Sequence, residues 1–411
     1  MDQLRPLPEG ARLLHVGPPK TGSTALQDAL HQSRVSLSRQ GVTYVSRVRH
    51  EIVPARWVTG RLPRTPKWRW AEQRWNELVD AMRAEGPERK VYSSEYLADA
   101  TDAQVVEILD AIGVDKTYVV ITLRPLVDLV PSQYQQYLQG GLTADYETWL
   151  DTTFNEPPFT GPTPWFWQRH RHDALVERWA KVLGPDRVLV VPTDGRDFDA
   201  VPAVFERLLG LTRGTLVGRK VRPNRSLTWP EAEVMRRFNV EAQATGLVDS
   251  KYPMLTKLAA EHVKQRTPRP DEPRITTPDW AAKRADELGA EFALAISTSG
   301  VVVLGDLATL SPGVEPRPCV GPPPQVDAEV AARFAAGFVL AERQVRKEVA
   351  ARRGARRRRD VPPPSDKPGT KKRQSVRARK AAEHLVAMLA DRPVLAPGAL
   401  GLQRSAASVI E

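Results

Sequence analysis

Thr117-Tyr118-Val119-Val120-Ile121-Thr122-Leu123 is a continuous β-branched and apolar run with no polar face. A strand of that kind is buried on both sides, which points to a mostly parallel sheet covered by helices on each face. Shorter runs of similar character occur at Arg12 to Val16, Val42 to Val45, Lys90 to Ser94 and Arg187 to Val191. Helical periodicity separates them. It covers 23–33, with Leu26 and Leu30 four apart, then 71–84, then 102–112 with Val105, Val106 and Leu109 on one side, and 173–183. A further helix is predicted to start at Pro131 and run to Leu138, because proline is tolerated in a first helical turn. Residues 54–70 are rich in Pro, Arg and Trp and read as a loop. Strands alternating with helices over about 200 residues predict a three-layer α/β fold.

Beyond Leu211 the strand signals fade. Helices are expected at 230–245, 252–265 and 279–296, and six prolines mark 311–325 as a linker. A helix over 327–351 carries Phe334, Phe338 and Val345 along one side, residues 352–380 read as disordered, and 381–389 as a short helix. The expected organisation is one domain over 1–310, with an α/β core at 10–211 and a helical part at 212–310. A linker (311–326), a helix (327–351) and a basic tail (352–411) follow. No repeat is present, and no apolar run approaches the roughly 20 residues of a membrane span. The N-terminus has no apolar segment of secretory type, and the single Cys319 suits a reducing compartment, so the expected location is cytoplasmic.

The formal net charge is +11. Residues 351–380 hold thirteen Lys/Arg and two acids, a net +11, so the other 381 residues balance. The basic character belongs to the tail, and no nucleic-acid partner is expected for the core. The tail itself could bind an anionic surface weakly, or serve as a solvated extension.

Gly17-Pro18-Pro19-Lys20-Thr21-Gly22-Ser23-Thr24 lies between the first strand and the first helix. Amides at a helix N-terminus point outward into a favourable dipole. Gly17 and Gly22 are expected to let the backbone approach a phosphate closely. Lys20 adds a mobile charge, and Thr21, Ser23 and Thr24 add hydroxyls. An ATP or GTP P-loop places its lysine directly after the second glycine. Here Lys20 sits two residues before Gly22, and no lysine follows it.

Pro-Lys-Thr-Gly-Ser-Thr resembles the 5′-phosphosulfate loop of sulfotransferases that use PAPS (3′-phosphoadenosine 5′-phosphosulfate). The likeness covers about residues 10–240 and is nearest to the bacterial members. It implies a P-loop NTPase-like α/β fold with a helical C-terminal extension and PAPS as donor, with PAP as product and no metal. It places Pro19, Lys20, Thr21, Gly22, Ser23 and Thr24 on the 5′-phosphosulfate, with Lys20 at the bridging oxygen. The family also carries an arginine at the end of a central strand and a serine eight residues later, both on the 3′-phosphate. Arg124 and Ser132 have that spacing. Pro125 follows the arginine directly, where the family often has proline one residue later. Arg222 falls where the family folds a loop over the nucleotide, without the Arg-Lys-Gly sequence of the cytosolic animal enzymes.

The family's general base follows the strand between the two motifs. That position is Glu95 here, with His50, His170 and His172 as alternatives; His15 lies inside the first strand and reads as a core residue. The resemblance implies an acceptor hydroxyl, on a glycan, glycolipid or small metabolite, without choosing among them, and oligomeric state stays open. Two other readings are a P-loop kinase or NTPase, and a non-catalytic protein that keeps the fold and works through its tail.

Overall fold

The computed structural model describes residues 5–155, 163, 165–194, 199–216, 225–313, 326 and 328–360. Six strands form the sheet: β1 (Arg12–Val16), β2 (Val42–Tyr44), β3 (Arg89–Ser93), β4 (Thr117–Leu123), β5 (Val188–Pro192) and β6 (Val302–Val303), in spatial order β2-β3-β1-β4-β5-β6. Every pairing is parallel. The fold is α/β with helices on both faces. Six of the seven residues of β4 are buried and Tyr118 is half-buried, as the unbroken apolar run requires.

One face packs Leu13, Val91, Val120 and Leu189 against Leu26 and Leu30 of the helix Ser23–Gln32 and Phe205 and Leu208 of the helix Ala200–Leu209. The helices Asp102–Ile112 and His172–Leu183 pack together, and the second lies on β4 and β5. Leaving β1, the chain winds towards β2 and β3; leaving β3, it crosses back to β4. The carboxyl ends of β1 and β4 therefore flank a topological switch point, where open α/β sheets bind ligands.

The described residues fall into two compact units. The first draws on Met1–Gln133, Leu150–Pro223 and Thr276–Val320 and contains the whole sheet. The second draws on Tyr134–Trp149, Asn224–Ile275 and Gly321–Glu411. Within it, the helices Trp229–Ala244, Tyr252–Val263 and Ala328–Asp360 gather Phe238, Tyr252, Phe334 and Phe338 into one aromatic cluster.

The structure departs from the sequence expectations at several places. Val53–Val58, read as loop, is a helix buried on all sides. It shows no polar stripe to reveal it, and Pro54 sits in its first turn, where proline needs no amide partner. The two-residue β6 is too short to show a pattern. The last helix continues to Asp360, nine residues into the segment read as disordered. The expected helix at 381–389 lies outside the described residues.

The helix carrying Ser132 begins at Leu126, so Pro131 lies inside it. A proline there cannot donate to the carbonyl four residues back, at Val127. That carbonyl is taken by the Thr277 hydroxyl at 2.8 Å, with Thr277 itself fully buried. The internal proline is tolerated because a distant side chain replaces the missing donor. Thr277→Val should leave the carbonyl buried and unpaired and lower stability by about 1–3 kcal/mol in urea unfolding, with Thr277→Ser close to the parent. A Thr277→Val protein as stable as the parent would show that the carbonyl has another partner.

Candidate functional site

The loop from Gly17 to Thr24 alternates in its exposure. Lys20, Gly22 and Thr24 face solvent, whereas Pro18, Pro19, Thr21 and Ser23 are buried. The buried hydroxyls are engaged internally: Thr21 Oγ1 donates to the Pro18 carbonyl at 2.8 Å, and Ser23 Oγ to the Gly17 carbonyl at 3.2 Å. They shape the loop. Its outward groups are the Lys20 ammonium, the Thr24 side chain and the first-turn amides of the helix Ser23–Gln32, whose N-terminus has no side-chain cap.

The glycines serve differently from the expectation. A Cβ on Gly17 would lie 2.4 Å from Ser23 Oγ and 2.8 Å from both His15 Nε2 and Thr122 Oγ1. Gly17 makes room for protein groups beneath the loop and not for a ligand above it. A Cβ on Gly22 meets nothing within 4 Å, and its need is conformational, with φ +89°. Lys20 also adopts positive φ, 75°, a strained state for a residue with a side chain. Gly17→Ala should lower stability by about 1–3 kcal/mol in thermal unfolding; an unchanged melting temperature would mean the loop can shift without cost.

Beneath the loop runs a chain of buried polar groups. Thr122 Oγ1 lies 2.8 Å from Thr21 Oγ1 and 3.0 Å from His15 Nε2, and His15 Nδ1 lies 2.7 Å from Ser93 Oγ. Gln27 Nε2 donates to Ser93 Oγ at 3.3 Å and to Glu95 Oε2 at 3.3 Å. His50 Nδ1 is 2.8 Å from Gln27 Oε1, and His50 Nε2 is 3.4 Å from Asp28 Oδ1, which also pairs with Arg49.

The sense of the bonds follows from the ends. Thr21 donates to a carbonyl, so it accepts from Thr122. Thr122 then accepts from His15 Nε2–H, and Nδ1 accepts from Ser93, which accepts from Gln27. His15 is thus a neutral Nε2–H tautomer, with partners on both ring nitrogens as a core histidine requires.

Arg124 leaves the end of β4. Its Nη1 donates to the Lys20 carbonyl at 3.4 Å, its Nη2 is 3.9 Å from Asp128, and its Nε is buried without a partner. Because β1 and β4 pair in parallel register, with Val16 opposite Ile121, the fold brings Arg124 to the loop across 104 residues of chain. Glu95 opens a short 3₁₀ helix, Glu95–Asp99, after β3 on the other side of β1 and is half-buried. Ser132 Oγ donates to the Leu129 carbonyl at 2.9 Å and lies in the second turn of its helix, not at its start. Arg222 lies outside the described residues.

The three histidines proposed as alternatives to Glu95 separate. His50 belongs to the cluster beside Glu95. His170 and His172 are fully buried, without partners on their ring nitrogens, and burial lowers both pKa values, that of His172 to about 4. Sequence reasoning missed Gln27, Asp28, Arg49 and Thr122. Only Thr122 left a signal, a polar residue inside the apolar β4 run. Among the described residues no group of three or more His, Cys, Asp or Glu could hold a metal ion, and no helix is long and apolar enough to cross a membrane. An open cleft of about 410 Å³ between Trp57, Arg64, Arg69 and Trp75 includes none of Lys20, Glu95 or Arg124.

Burial lowers the His15 pKa to about 3. The folded state therefore refuses a proton that the unfolded chain takes up below its ordinary value near 6.5. Stability falls as pH drops, by about 1.4 kcal/mol between pH 7.5 and 5.5 from His15 alone, and His170 and His172 act in the same direction. Urea midpoints across that range should fall, and less steeply in His15→Gln. An equal slope in the variant would mean that folded His15 takes the proton.

No family model matches the chain, and no curated protein matches it. Among solved structures, a sulfotransferase from Alicyclobacillus acidocaldarius is similar at 17% identity, over 59% of this chain and 98% of that chain, with a TM-score of 0.37.

Proposed function

We propose that this chain transfers a sulfuryl group from PAPS to an acceptor hydroxyl. The observation that carries the reading is the contact between Arg124 and the Lys20 carbonyl at the carboxyl ends of β1 and β4. It joins the two motifs, each weak alone, at the switch point of a parallel sheet. The strained Lys20 backbone and the outward alternation of the loop fit an anion above it.

In this reading Lys20 and the amides from Thr21 to Thr24 hold the 5′-phosphosulfate, and Arg124, with its unpartnered Nε, meets the 3′-phosphate. Ser132 reaches that phosphate only by turning its hydroxyl from the Leu129 carbonyl. The acceptor oxygen attacks sulfur in line with the bond from sulfur to the bridging oxygen. That bond breaks, its electron pair stays on the phosphate oxygen, and Lys20 neutralises the charge. Glu95, held by Gln27, takes the acceptor proton. Gln27 and His50 position this carboxylate. Arg222 would close over the nucleotide.

Isothermal titration should show PAP binding at least ten times more tightly than AMP, the difference falling away in Arg124→Ala. Equal affinity, or magnesium-dependent ATP hydrolysis in place of transfer, would sink the reading. With labelled PAPS and an acceptor found by screening, Lys20→Ala should cost about 10²–10³ in turnover and Glu95→Gln about 10²–10⁴, both folded. An active Glu95→Gln protein would move the base to His50.

A further inference from the structure

The 3₁₀ helix that begins with Glu95 ends with Asp99, about 8 Å along its axis. Asp99 is fully buried and held by two guanidiniums. Arg169 Nε and Nη2 donate to its two oxygens at 2.5 and 2.9 Å, and Arg61 Nε donates at 2.8 Å. Burial alone would raise the carboxyl pKa; the Arg169 and Arg61 charges outweigh it and hold the group well below the carboxylate range. A third guanidinium, Arg56, stands beside them. Its Nη2 donates to the Arg61 carbonyl at 3.3 Å, and it lies 5.0 Å from the centre of the Tyr96 ring, which Arg169 approaches at 5.8 Å.

Two buried arginines thus share one carboxylate, and a third, Arg56, is bonded to the Arg61 carbonyl beside them. Arg56 Nε and Nη1, and Arg61 Nη1 and Nη2, are buried with no hydrogen-bond partner, while Arg56 as a residue and the Arg61 side chain are each only 3% exposed. Leaving four guanidinium nitrogens dry and unpaired costs several kcal/mol, and cation–π contacts return only part of it. The half-buried Trp165 ring lies 3.5 Å from the Arg61 guanidinium carbon and covers one face. The unpartnered Nη1 and Nη2 lie on the edge of the guanidinium, away from the ring-covered face.

We infer that Arg56 and Arg61 form a second oxoanion site, separate from the Lys20 loop, which takes a carboxylate or sulfate group in bidentate contact. Guanidinium forks match such groups in geometry as well as charge. The anion comes either as a free inorganic ion or as a substituent of the acceptor. The second source rests on the proposed transfer reaction, and the shared short helix then sets the spacing: an acceptor anchored at Asp99's end presents its hydroxyl near Glu95.

The test needs no nucleotide, so its failure leaves the donor reading to the PAP titration. Sodium sulfate, sodium glucuronate and neutral glucose are titrated at constant chloride-balanced ionic strength into Lys20→Ala protein, which weakens the first anion site. Saturable 1:1 binding of sulfate or glucuronate, weakened at least tenfold by adding Arg61→Gln or Arg56→Gln, is the expected result. Glucuronate tighter than sulfate supports the acceptor source, and sulfate as tight or tighter supports the inorganic ion. Absence of anion binding in Lys20→Ala, binding indifferent to both arginine variants, or glucose binding as well as glucuronate overturns the site. The first and third of these outcomes do not depend on either arginine variant folding.

Discussion

The site depends on the hydrogen-bond chain under the loop. From Gln27 through Ser93, His15 and Thr122 to Thr21 and the Pro18 carbonyl, the bonds run in one sense, and each hydroxyl and the His15 ring N–H serves one acceptor. The chain crosses β3, β1 and β4, the three strands whose ends carry Glu95, the loop and Arg124. A buried polar network is favourable only if every member is satisfied, because each orphan would forfeit its hydration. Its members therefore fix one another, and with them the positions of the three groups that face solution. Gly17 belongs to the same constraint, since a single methyl there would occupy the place of Ser23, His15 and Thr122 atoms.

That support explains how the loop holds an unfavourable backbone state. Lys20 at positive φ costs of order 1–3 kcal/mol. Thr21 on its far side is tied to Pro18 and Thr122, and the Lys20 carbonyl is tied to Arg124. The residue is pinned from both directions while its side chain stays exposed. An anion bound above the loop would meet a charge and amides already in place, so little ordering would remain to oppose binding.

What was legible in the sequence was local. The β4 run and the strand-loop-helix order around Lys20 depend on neighbours in the chain, and both lie where the pattern put them. What was illegible depends on distant partners. Pro131 reads as a helix start unless Thr277 is known to take the Val127 carbonyl. Val53–Val58 reads as loop because a helix buried all round has no periodic face. Thr21 and Ser23 read as ligand donors because composition does not say which way a hydroxyl turns. Gln27, Asp28 and Arg49 carry chemistry-bearing groups but look like an ordinary amphipathic helix and a basic loop.

Charge shows the same division. The chain outside the basic tail is balanced by count, which suggests an electrostatically quiet core. Burial redistributes that balance. Asp28 draws Arg49 and His50, and Glu51 draws Arg74, so these pairs are close to neutral. Around Asp99 two arginines meet one acid and a third stands beside them, an excess that no count of residues could reveal. The excess sits one short helix from Glu95. Guanidiniums nearby favour the ionised form of a carboxyl, and Asp99 shows how strongly they do so at contact. The two acids of one short helix thus meet different surroundings, Asp99 enclosed by guanidiniums and Glu95 half-buried against Gln27.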